Sequence, residues 1–116
     1  MTNEKNSYYE VQARLLEQAK KDFDNQLDRF STIWYKEVLN RKRKTKRGVI
    51  AEEVLTEISN DIYSDRPYFI CGRSAFENAY SRGDVWHAQQ AVSWIKGKLD
   101  GYKERVRKGV IDWYGY

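Results

Sequence analysis

The apolar positions of this chain fall on three helical seams. Leu16, Ala19, Phe23, Leu27, Phe30, Trp34 and Val38 recur at intervals of 3, 4, 4, 3, 4 and 4, one stripe down one side of a helix. Ala51, Val54, Leu55, Ile58 and Ile62 share a second face. Ala88, Val92, Ile95, Leu99, Tyr102 and Val106 repeat at 4, 3, 4, 3 and 4, close to a heptad seam.

Local signals give these seams their expected ends. Ser7 with Glu10 three residues on is a capping-box pattern, and Glu10–Arg14 and Glu17–Lys21 are favourable i,i+4 pairs. No Gly or Pro interrupts residues 7–47, so a first helix is expected to run from Ser7 to Asn40. At 1.5 Å per residue it would be roughly 50 Å long. A compact domain of this size has a radius of gyration of only about 13 Å. Either the helix breaks near Phe30-Ser31-Thr32, or part of its stripe packs on another chain.

Gly48 permits a turn, and a second helix reads from Val49 to Tyr63. Pro67 disfavours a helical Arg66 and stops it. Tyr68-Phe69-Ile70-Cys71 reads as an extended buried connection or an isolated strand. Ser74-Ala75-Phe76-Glu77 opens a short third helix, with Gly83 as its C-terminal cap and Asp84 as the N-cap of a fourth, Val85–Lys108. Gly97 and Gly101, one turn apart, read as a notch for close helix packing. The expected fold is all-α, a single small bundle of about four helices with a long N-terminal amphipathic helix. Residues 1–116 form one domain in this reading, with 1–6 a flexible N-terminus and 109–116 an apolar, aromatic tail that packs on the bundle or on a partner.

Charge changes this picture in one place. The chain has 116 residues and a net charge of +4, but Arg41-Lys42-Arg43-Lys44-Thr45-Lys46-Arg47 holds six cations in seven positions. The remainder is therefore slightly acidic. One basic cluster suggests a docking point for phosphates, or else an exposed solvated turn. Tyr35 and Lys36 flank it, Tyr35 lying off the apolar stripe where an aromatic ring is free to stack on a base. Lys96, Lys98, Lys103, Arg105, Arg107 and Lys108 would extend the patch if the ends of the first and fourth helices meet. The candidate nucleic-acid or polyanion site is thus Tyr35, Lys36, Arg41, Lys42, Arg43, Lys44, Lys46 and Arg47.

Catalytic and cofactor signals are sparse. Cys71 is the single cysteine and His87 the single histidine, so neither an internal disulfide nor a zinc cluster is expected, and no glycine-rich phosphate loop occurs. No cofactor and no metal are expected. The acidic residues read as solvated helix faces. Arg82-Gly83-Asp84-Val85-Trp86-His87 separates an Arg and a His by four residues, a spacing similar to the Arg-x4–6-His motif of HEPN ribonucleases. That resemblance implies a helical-bundle nuclease working without metal, usually with a dimeric cleft, in which Arg82 would stabilise phosphate charge and His87 would do acid–base work. The plainer reading places His87 at N3 of the fourth helix, capping or packing there.

The composition therefore points to a non-enzymatic helical binding protein. Its expected partner is nucleic acid or an acidic protein surface. The alternative is an interaction or assembly component, of accessory or virion-associated type, using the long helix and aromatic tail as a homo-oligomer or with a protein partner. No run approaches membrane-spanning length and the N-terminus lacks a signal-peptide core, so no membrane contact and a cytoplasmic location are expected.

Overall fold

The computed structural model of the chain describes residues 4–41, 45–64 and 72–109, with side chains from Ser7 onward. It is all-α. The first helix, α1, spans Glu4–Trp34 and passes directly into a π-helical turn, Tyr35–Leu39. Next come α2 (Lys46–Ile62), α3 (Arg73–Ser81), α4 (Val85–Asp100) and α5 (Tyr102–Lys108). Between α4 and α5 the Gly101 N–H donates to Gly97 O at 3.0 Å and Gly101 O accepts from Arg105 at 3.1 Å. The expected fourth helix is thus one rod with a step at Gly101.

Contacts along α1 give the rods their directions. Arg29 of α1 meets Asp100 of α4 at 2.7 Å, and Leu15, Ala19 and Asp22 line a groove with Gln89, Val92 and Ser93, so α1 and α4 run parallel. Phe23 stacks on Phe76 of α3 with centroids 4.4 Å apart, and Tyr80 bonds Glu17, so α3 runs antiparallel to α1. Arg105 meets Glu57 at 2.6 Å and Gly109 lies beside Ile50, so α2 runs antiparallel to α5. The result is an up–down–up bundle in which α2 and then α3 make up the descending side. It is long, 65 × 26 × 22 Å with a radius of gyration of 17.3 Å.

All three seams face inward. Ala19, Phe23, Phe30, the whole α2 face and most of the α4–α5 seam join one buried cluster, and Leu16, Leu27, Trp34, Val38 and Val92 pack against it. The long helix does not break at residues 30–32. Phe30 is buried there, and the Thr32 hydroxyl donates to Asp28 O at 3.0 Å, so the side chain satisfies itself on the helix.

Four local expectations are corrected. The helix already starts at Glu4, leaving Ser7 inside it rather than at the cap. Nothing in this stretch stops extension, and an early Glu suits the positive helix end. Ser74 is likewise interior: Gly72 caps α3, and Glu77 pairs with Arg73 at 3.1 Å instead. Gly48 is not a turn residue but lies buried in the first turn of α2. A Cβ on Gly97 would meet nothing within 4 Å and one on Gly101 only Gly97 O, so the two glycines form no packing notch among the described residues. The reversal at Gly83–Asp84 forms as expected. Gly83 has φ +71°, its N–H donates to Tyr80 O at 3.1 Å, and Asp84 N–H donates to Ala79 O at 2.9 Å. Residues 68–71 and the tail beyond Gly109 lie outside the described residues.

Phe23→Ala should lower unfolding stability by about 3–5 kcal/mol, because it empties a fully buried site under the Phe76 ring. Gly97→Ala should raise it by about 0.5–1 kcal/mol, since a helical glycine gains a methyl in open space. Urea unfolding of both variants checks the pair.

Candidate nucleic-acid interface

Three basic segments meet at one end of the bundle. The parallel run of α1 and α4–α5 carries the C-terminal ends of both to the same level, and the antiparallel α2 brings its N-terminus there too. Lys103 borders the groove that also holds Thr32 and Ile33, one turn before Lys36. A Cβ on Gly109 would lie 3.7 Å from Ile50 Cδ1, which sets the basic last turn of α5 (Arg105, Arg107 and Lys108) against the start of α2.

The π-helical turn decides which side chains face solvent here. Asn40 N–H donates to Tyr35 O at 2.8 Å, a five-residue span that inserts an extra residue into the turn. Tyr35 is 59% exposed, Lys36 is exposed, and Val38 stays half-buried on the core. Thr45 caps α2 by accepting from Gly48 N–H at 3.0 Å. Lys46 and Arg47 follow in the first turn, both exposed, with no acidic residue beside them in that turn. Lys42, Arg43 and Lys44 lie outside the described residues.

Arg41 behaves differently from its neighbours in sequence. Its guanidinium lies over Gly48 and bonds Glu52 Oε2 at 3.2 Å, with only 16% of the side chain exposed. A Cβ at Gly48 would come within 2.9 Å of Arg41 Cζ, so the missing side chain makes the berth. Arg41 Nη1 is buried there with no hydrogen-bond partner among the described residues. The sequence signal for this berth is Gly48 together with Glu52, and it becomes legible only once the two are folded side by side. Arg105 is similarly committed to Glu57, while Arg107 and Lys108 share Glu104. Lys36, Lys46, Arg47 and Lys103 hold no ion pair among the described residues.

Tyr102 sits beneath this end. Burial pushes its hydroxyl up to about 12, the Glu37 charge acting in the same direction and the nearby Arg47 and Arg41 charges opposing it. The phenol is therefore neutral at all ordinary pH and adds no negative charge to the patch.

Comparison of the chain with family models, with curated proteins and with solved structures found no match.

The Arg82–His87 stretch lies at the opposite end. Asp84 Oδ1 accepts the His87 backbone N–H at 3.1 Å, Oδ2 lies 2.6 Å from His87 Nδ1, and Arg82 Nη2 lies 3.6 Å from the same oxygen. Arg82 and His87 thus converge on the carboxylate that caps α4, His87 standing at N3. Among the described residues, no three His, Cys, Asp or Glu are grouped to hold a metal, and no helix is long and apolar enough to cross a membrane.

The cap has a pH signature. The His87 backbone N–H holds the Asp84 carboxyl below its ordinary range, with smaller help from the His87 ring and Arg82. The folded state therefore favours ionised Asp84, and this stability is present above the unfolded carboxyl value. It is lost as pH falls through the folded one. Asp100, lowered by Arg29, and Glu104, lowered by Arg107, act in the same direction. Asp84→Asn, which keeps a capping oxygen but no charge, should lose less stability than the parent between pH 7 and pH 3. Thermal unfolding across that range measures the difference.

Proposed function

We propose that the protein binds nucleic acid through the phosphate backbone at the end of the bundle formed by the π-helical turn, the start of α2 and α5. The observation that carries this reading is the convergence of three basic segments, distant in sequence, around cations with no acidic partner among the described residues. Lys46 and Arg47 sit at the positive end of the α2 dipole, where cations weaken a helix and an anion would stabilise it. A phosphate between them and the uncapped N–H groups would satisfy both. Lys36 and Lys103 widen the charged area along the α1–α5 groove, and Lys42, Arg43 and Lys44 belong to the connection that joins these elements in sequence. Tyr35, exposed beside Lys36, offers a flat ring to an unpaired base.

Phosphate contacts of this kind give affinity and orientation without base selection. Arg41 is not one of the contacting cations in this reading. Its place is structural, tying the π-helical turn to α2 through Glu52.

Titration of a fluorescent 20-nucleotide strand between 50 and 200 mM salt tests the proposal. Changing Lys46 and Arg47 together to Gln should weaken binding and reduce the slope of log K against log salt by roughly 0.7 for each phosphate no longer neutralised. Arg41→Gln should instead lower unfolding stability, by up to about 1 kcal/mol for a partly exposed pair, with a smaller effect on the salt slope. Binding and slope that are unchanged in the Lys46/Arg47 variant would overturn the proposal.

A further inference from the structure

The π-helical turn holds two apolar side chains out of the core. A turn closed by a bond from Asn40 N–H back to Tyr35 O takes more than four residues, so Tyr35 and Leu39, four apart, stand on one outer face. Tyr35 is 59% exposed and Leu39 67%, the most open of the large apolar side chains among the described residues. Trp34, next to Tyr35 in sequence, is committed elsewhere. It is half-buried and packs on Phe30 with ring centroids 5.9 Å apart.

Charge lies beside this pair. Lys36 and Asn40, also four apart and both exposed, form the adjoining strip. Lys103 follows beyond Lys36, across the groove that it lines with Thr32 and Ile33. Glu37, the acidic residue of the turn, is half-buried on the Tyr102 side. Around the outside of the turn the order is therefore Lys103, Lys36, Tyr35: two cations, then a flat ring backed by Leu39.

We infer that the nucleic acid held at this pole is single-stranded, one base stacking on Tyr35 and the adjoining phosphates lying on Lys36 and Lys103. The inference rests on the nucleic-acid reading above and adds its substrate class. In a duplex the base faces are stacked on one another, and the outer surface is sugar and phosphate. Tyr35 and Leu39 would then meet charge alone and gain nothing. Reading a duplex through its major groove takes a helix or ribbon laid into that groove. This pole instead presents the ends of three helices at one level. An unpaired base brings its π-face to the ring whatever its identity, so the contact tolerates any sequence and is common to DNA and RNA strands.

A fluorescent 20-nucleotide DNA strand, titrated at 200 mM salt alone and after annealing to its complement, tests the inference. The single strand should bind at least about fivefold tighter than the duplex. Tyr35→Ala should weaken single-strand binding roughly 5- to 150-fold, the cost of one lost base–aromatic stack, whereas Tyr35→Phe should keep the parent affinity. The slope of log K against log salt should not change in Tyr35→Ala, which removes no cation. Helicity by circular dichroism should also hold, since the side chain is exposed. An abasic strand of the same length, phosphates without bases, should bind the parent more weakly by a similar factor. A duplex bound as tightly as the single strand, or a Tyr35→Ala variant with parent affinity, would overturn the inference. The phosphate reading would survive either result, because it is judged on Lys46, Arg47 and the salt slope.

Discussion

The shape of this protein depends on burying one stripe along α1. A helix of 31 residues has no internal reason to be exposed on all sides, and most helical stability comes from tertiary packing of an apolar face. Here α3 and α4 supply that packing, through the Phe23–Phe76 stack and the Ala19 contact with α4. Their own junction limits how far they can do so. The Gly83 reversal turns α3 into α4 within three residues, and Asp84 starts the new helix at once. Among the described residues, the cover that α3 and α4 give α1 therefore ends near that turn, and Tyr8 and Tyr9 are exposed beyond it.

At the other pole the constraint is electrostatic. Several cations meet where α1, α2 and α5 converge, and the fold neutralises some of them internally. Arg41 is drawn onto Gly48 and Glu52, and Arg105 onto Glu57, so both stabilise packing instead of projecting charge. Lys46 and Arg47 are treated otherwise. They occupy the first turn of α2 with the wrong sign for its dipole and no carboxylate in that turn. Among the described residues, these two cations cost the helix stability with no carboxylate in the turn to offset them.

Periodicity makes the interior legible from the chain alone. The α1 stripe, the α2 face and the α4–α5 seam all turn inward, because each repeats often enough for one register to dominate. Single-residue signals fare unevenly. Gly83 and Asp84 are local devices, complete within a few residues, and they form as their residue types suggest. Ser7 and Ser74 carry an equally good capping pattern but sit inside helices, since neighbouring residues let each helix extend further at no cost. The π-helical turn leaves no trace in the spacing. It arises where α1 must deliver Val38 to the core and the chain to Arg41. Adjacency alone groups Arg41 with the basic cluster, whereas its berth depends on Gly48 and Glu52, further along the chain.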